Sequence, residues 1–408
     1  MSSAYWLTNV RLESGYLYEN EAIAGTETEI CHLRIESGII REIVSAETPL
    51  QTDLPRHDGK KLLLLPSFIE KHVHLDKTLI GDKWRAVIPV ANLVERCELE
   101  KRILPSLPTT TKERAAGLLG TLLRAGSTEV RTHVDIYPEA GLSNLEAVQQ
   151  ALEQYQGKLS YEIVAFPQHG LLRSKSRELV RAALREGATL IGGVDPATVD
   201  GDIERSLQQM MELAIEANAG VDLHLHDADY LGTFTMRRLA ALTMEAGMQG
   251  RVAISHAFGL GEVPAGEAAD LAAMLAEAGI TIITSVPHSR TIPPVPLLQE
   301  KGVSVAAGCD NIFDTWQPFG NGDVLERATR LAERFRWIDE RSLSQSLGFI
   351  TGGKTPLDRE GNRAWPKIGD EANMVLVDAA CTAEAVARRA KRRAVFYQGQ
   401  IVAGEVRE

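Results

Sequence analysis

The sequence predicts an α/β fold: a (β/α)8 barrel attached to a small sheet domain that both chain ends build. Three observations carry this. The middle of the chain alternates short apolar runs with helical patterns. The two ends share a different texture, rich in strand-forming residues and turns. Histidines gather at the ends of the apolar runs.

The ends come first. AYWLTNVRL, EICHLRIESGIIREIV and KLLLLP carry alternating or continuous apolar positions, as short strands do, with Gly15 and Ser37-Gly38 supplying turns. PKIGDEANMVLVD and RAVFYQGQIVAG repeat the pattern at the far end. Residues 1–66 and 366–408 are therefore expected to meet in one small domain, since termini commonly lie close together. Residues 67–365 are then the barrel. The run Leu62–Leu65 is too short for a membrane span and too apolar for a surface loop. It should carry the chain into the first barrel strand.

Eight strand-like runs follow: 67–74, 128–135, 161–168, 189–195, 221–226, 251–256, 281–285 and 303–310. Their apolar positions are continuous, as in parallel strands covered on both faces. Helical patterns separate them, among them TTTKERAAGLLGTLLRAG, SLQQMMELAIEANAG and GEAADLAAMLAEAG, each closing on Gly as a stop. A doubly wound open sheet would carry a Gly-rich phosphate turn after its first strand. Here that position reads HVHLDK.

The 408 residues are 44 % apolar and 24 % charged, ordinary for a globular protein. The net charge of -11 argues against a nucleic-acid backbone or an anionic membrane as partner. The basic cluster RRAKRR (388–393) is then a solvated helix end or a subunit contact. Four scattered cysteines read as reduced thiols, and no secretory signal is visible, so a cytoplasmic location is expected.

In barrels of this kind, catalytic residues sit at the C-terminal ends of the strands. Seven of the ten histidines fall there: His72, His74, His133, His169, His224, His226 and His256. His72 and His74, two residues apart on a strand, point to one face, as two ligands of one metal would. A catalytic metal takes three or four protein ligands, and His72, His74, His224 and Asp310 come from three strands that can converge. His256 and Asp310 could orient or deprotonate a metal-activated water. His226 and Asp227 could move protons to and from a substrate. His133 is expected to be a hydrogen-bonded structural group, and His32 and His57 ordinary surface residues of the small domain.

PSFIEKHVHLD, VRTHVD, IVAFPQHG, LHLHD, ISHAF and CDNIFDTWQPFGNGD, in that order over residues 62–325, resemble the amidohydrolase superfamily, in its cytosine-deaminase-like branch. The resemblance implies a distorted (β/α)8 TIM barrel plus a small β-sandwich. It implies one divalent metal ion per subunit, zinc or iron, on His72, His74, His224 and Asp310. His256 becomes the catalytic histidine near the attacking water, Gln168 the amide that bonds the substrate ring, and Trp316 a wall of the site.

Two departures from cytosine deaminases stand out. Their strand-five tetrapeptide ends in glutamate, whereas here it is His224-Leu225-His226-Asp227. Their second strand-eight aspartate is replaced by Asn311. Both features, with Lys77 and Asp195, look more like the amidohydrolases of N-substituted ammelides. Lys77, Asp195 and Asn311 are then expected to bind substrate.

The expected activity is hydrolysis of an exocyclic C–N bond on a small nitrogen heterocycle, cytosine-deaminase-like, releasing ammonia or an amine. An ammelide-type s-triazine substrate is the alternative. A binuclear amide hydrolase would need a bridging lysine on strand four, where ATLIGGVDP has none. A catalytically degenerate interaction protein is the non-enzyme alternative, yet the H-x-H pair and Asp310 are both present. A homo-oligomer is expected, as is usual in this superfamily.

Overall fold

The computed structural model describes residues 4–406. From the N-terminus the strands are β1 (Tyr5–Glu19), β2 (Ala22–Glu36), β3 (Ile39–Ser45), β4 (Arg56–Asp58) and β5 (Leu63–Pro66). The barrel strands are β6 (Phe68–Val73), β7 (Ser127–Asp135), β8 (Ser160–Phe166), β9 (Leu190–Val194) and β10 (Gly220–Leu225). They continue with β11 (Val252–His256), β12 (Thr281–Thr284) and β13 (Val305–Ala307). The chain ends with β14 (Met374–Val377), β15 (Arg392–Tyr397) and β16 (Gln400–Gly404).

Both termini contribute to one mixed sheet, ordered β16-β15-β14-β5-β1-β2-β3, with β4 alongside β1. Leu7 and Leu33 from one end pack in the same buried cluster as Met374 and Phe396 from the other. The sheet therefore closes over its own core, which gives the small domain its sandwich form. The leucine run splits by the period of a strand. Leu64 enters the small-domain core, while Leu63 and Leu65 join the core of the barrel. The run thus joins the two domains through both of its faces.

The first two strands are longer than the sequence predicts. They form a hairpin turned by Asn20 and Glu21, both with positive φ (48° and 66°). Gly15 lies inside β1 at a register irregularity rather than at a turn. Ser37-Gly38 does form a turn, as expected.

β6 to β13 form a parallel sheet in sequential order, a distorted (β/α)8 barrel. Of the three Gly stops, Gly126 and Gly279 follow their helices with positive φ (107° and 59°). Gly220 instead opens β10, and Asn218 takes the left-handed conformation (φ 51°) after helix Ile203–Glu216. Asparagine tolerates that conformation through its short polar side chain.

The barrel closes asymmetrically. β13 is only three residues long and pairs with β12. Its join to β6 is a single bridge, Val73 to Asp310, where the Asp310 amide donates to the His72 carbonyl at 2.7 Å. Gly308 permits this approach, since a Cβ there would stand 2.5 Å from the His72 nitrogen. No helix among the described residues is long and apolar enough to cross a membrane.

Candidate metal-dependent active site

The histidines at the strand ends converge at the C-terminal mouth of the barrel. The ring of His72 lies 4.5 Å from that of His224, 5.0 Å from that of His256 and 5.3 Å from that of His74. Asp310 Oδ1 approaches His74 Nε2 at 3.3 Å and His72 Nε2 at 3.5 Å. Among the described residues three overlapping triads could hold an ion: His72, His74 and Asp310; His72, His133 and His224; and His74, Asp76 and Asp135. His72 Nε2 and both nitrogens of His224 are buried without a hydrogen-bond partner. Bare imidazole nitrogens at this depth are costly unless something fills them. Burial also drives His224 and His256 well below the usual imidazole range, and His74 down to about 3 with help from the charge of Lys77. Neutral imidazoles beside a carboxylate are the donor set a divalent ion takes.

The tautomer of His72 follows from its neighbours. Ser255 Oγ donates its one proton to Asp222 Oδ1 at 2.7 Å. It can therefore only accept from His72 Nδ1, 2.9 Å away. That fixes the His72 proton on Nδ1 and its lone pair on Nε2, toward Asp310. Arg131 holds the other oxygen of Asp222 at 2.9 Å. Glu70 accepts the backbone amides of His72 and Cys309, tying β6 to the end of β13.

A narrow cavity of about 50 Å³ sits against the site, lined by His74, Gln168, His224, His226, His256, Asp310, Asn311 and Trp316 among others. His226 is committed on one side: its Nδ1 lies 2.9 Å from Asp195 Oδ2, which leaves Nε2 for the cavity. Against the opposing effect of burial, Asp195 raises the His226 pKa. His226 also stacks on His256, with centroids 4.4 Å apart. His256, Asp195 and Asp310 all hold positive φ (72°, 36° and 63°), a conformation costly outside glycine that concentrates at functional sites. The indole nitrogen of Trp316 donates to Glu100 at 2.6 Å, and Asn311 donates to Asp314 at 2.6 Å.

Several expected roles change. Lys77 does not line the cavity. It is 1 % exposed and sits behind Gln168, donating to Gln168 Oε1 and to Asp135 at 3.2 Å, with Glu100 at 3.8 Å. Burial opposes its charge, but Asp135, Glu100 and Asp76 outweigh it and raise its pKa. The oxygens of Asp195 are occupied by the His226 side chain and by the amides of His226 and Asp227, an arrangement that orients the histidine. Asp227 lines not the narrow cavity but a neighbouring one, with His226 and Trp316, and accepts from Thr198 at 2.6 Å and the Ala197 amide at 3.3 Å. His133 is fully buried, but neither of its nitrogens has a hydrogen bond, contrary to the expectation from sequence. His32 is buried and accepts from the Asn9 amide, and His57 is half-buried against Tyr5. Neither is an ordinary surface residue.

Ser255, Asp222, Glu70 and Glu100 were not anticipated. Their signal was present in part: Asp222 and Ser255 are polar residues inside the apolar runs VDLHLH and VAISH. A buried strand keeps such a residue when it has a partner.

Comparison with known proteins settles the family, because residues 90–403 match the Amidohydrolase family. The chain belongs to the amidohydrolase family. It is similar to the uncharacterized protein YahJ of Escherichia coli (strain K12), 40 % identical over 98 % of this chain and 88 % of that one. It resembles the structure of N-isopropylammelide isopropylaminohydrolase from Burkholderia multivorans, with 32 % identity, TM-score 0.86 and 98 % of each chain covered. It also resembles 5-methylcytosine deaminase from Klebsiella pneumoniae, with 26 % identity, TM-score 0.79, and 97 % and 98 % of the two chains covered. This amidohydrolase is thus a metal-dependent hydrolase of C–N bonds, in the cytosine-deaminase-like branch.

Proposed function

We propose that the protein hydrolyses the exocyclic C–N bond of an oxo-substituted nitrogen heterocycle, an N-substituted ammelide-type s-triazine in the first instance. The observation that carries this reading is the contact between Lys77 and Gln168. An ammonium has donors only, so Lys77 can face only the amide oxygen of Gln168. The Gln168 NH₂ is then left for the cavity, where it suits a ring carbonyl. The closer likeness to the ammelide hydrolase than to the cytosine-type deaminase supports the same ring class. Cytosine is the second reading, favoured by the likeness to the Klebsiella enzyme, and its ring also offers one carbonyl beside the amidine carbon.

His72, His74, His224 and Asp310 would hold one divalent ion, zinc or iron. When bound, such an ion activates water at neutral pH and polarises the carbon under attack. His256 faces the same cavity and would accept the proton of the attacking water. Gln168 would fix the ring by its carbonyl, with Trp316 as a wall. His226, aimed by Asp195, would return a proton to the departing nitrogen as the C–N bond breaks. Water adds to the ring carbon, and the nitrogen leaves as amine or ammonia. Asp227, bonded to Thr198 and Ala197, would brace the loop carrying His226.

The test is release of amine or ammonia from N-alkyl ammelides, ammelide, cytosine and 5-methylcytosine, before and after chelation. N-alkyl ammelides should be turned over, chelation should abolish turnover, and zinc, iron or manganese should restore it at about one ion per chain. Full turnover by the metal-free protein, or none by any compound, would overturn the reading.

A further inference from the structure

Beside the narrow cavity, and sharing His226, His256, Asp310, Asn311 and Trp316 with it, lies a lobe of about 480 Å³ whose lining is unusual for a chain of net charge -11. Arg290, Arg327 and Arg330 line it, while Asp310 is the only carboxylate among the lining residues. Asp310 already faces the imidazoles of His72 and His74.

The three arginines are not equivalent. Arg330 is neutralised, donating to Glu326 at 2.5 Å. Arg327 is 5 % exposed, and its terminal nitrogens donate to the carbonyls of Ser285 at 3.1 Å and Cys309 at 3.0 Å. Among the described residues no carboxylate bonds it, and its Nε is buried without a partner. The nearby buried carboxylate, Glu70, accepts the amides of His72 and Cys309 on Oε1, while its Oε2 has no hydrogen-bond partner and it acts on Arg327 only through space. Arg290 is exposed on the loop after β12, with its guanidinium stacked 4.5 Å from the centre of the Phe258 ring. No ion pair holds it among the described residues. Phe258 in turn packs 5.5 Å from His256 and 5.8 Å from His226. A free guanidinium on an aromatic platform, a second guanidinium behind it, and a cation at the metal site would together make this lobe positive. A planar fork of donors is the group that recognises carboxylates.

We propose that this lobe receives a carboxylate, carried by the heterocycle or by its departing amine. The assignment rests on the reading of the site as a heterocycle hydrolase. It adds that the physiological substrate is an acid rather than a neutral alkylamino heterocycle, with Arg290 the selecting residue.

The test compares two ammelides that differ only in charge, N-carboxymethyl and N-carbamoylmethyl. Affinity for the zinc-loaded protein is measured by calorimetry and turnover by amine release. The acid should bind, and where turned over react in kcat/KM, about ten-fold or more better than the amide, as one charge-assisted contact implies. That preference should shrink in high salt, because Arg290 is exposed. Arg290→Gln, an exposed change that should spare folding, should reduce the ratio to near unity, and Arg290→Lys should retain part of it. Equal binding of acid and amide, or a preference that survives Arg290→Gln, would overturn the proposal, even if both compounds are hydrolysed. Acid-selective binding without hydrolysis of either compound would support the anion site and count against the hydrolase reading alone.

Discussion

Ser255 shows how much of the site is decided by single protons. Its hydroxyl is spent on Asp222, so it must accept from His72 and thereby fix the His72 tautomer. Partners of this kind, one step removed from an ion, typically change metal affinity by about 10–100-fold when lost. Ser255→Ala should therefore weaken zinc binding by about that factor, measured by competition with a chelator, and leave the far-UV spectrum unchanged. Unaltered affinity would show that His72 needs no such orientation. The residues holding this proton were half-visible in the sequence. The H-x-H spacing and the histidines at run ends could be read directly, because strand period and barrel architecture fix where they point. The roles of Lys77, Asp195 and Asp227 could not. They depend on which neighbour takes each lone pair, and the partners lie 29 to 91 residues away.

At the scale of single elements, the period of the apolar runs located every barrel strand, and misjudged mainly their ends and the first hairpin. β1 and β2 are half-exposed along their outer reaches, so turn-forming residues there did not end them. β1 also hides a carboxylate. Glu13 is 2 % exposed, one oxygen accepting the Thr382 amide and the other unpartnered. Burial raises its pKa from 4.5 to about 7. A carboxyl raised by folding leaves stability intact below pH 4.5, where both states are protonated. Stability is lost as pH rises from 4.5 through 7, because only the unfolded chain ionises easily. The gap corresponds to at most roughly 3 kcal/mol at pH 8. Glu13→Gln should thus be more stable than the parent in urea at pH 8, with the difference closing near pH 4.5. A difference that does not vary with pH would show that Glu13 ionises normally.

For the whole molecule, the seam between β13 and β6 has the largest consequence. Seven neighbouring pairs of barrel strands are laced by ladders, while this one is closed by a single bridge at Asp310. The two sides of that join carry His72 and His74 at the end of β6 and Asp310 just past β13. An ion gripped by all three would act as a clasp on an otherwise open hoop, and the hoop would share its binding energy. At about 100 times its dissociation constant, the ion should add about 2.7 kcal/mol of stability, read as a higher melting temperature that chelation reverses. Local hydrogen exchange should show where. The Asp310 amide should exchange faster in the chelated protein, while the amides of β9 and β10 stay protected. The hydrolase would then carry its own quality control: a chain that has not acquired its ion would be the one whose ring springs open first, exposed to proteolysis at the edge that makes it an enzyme.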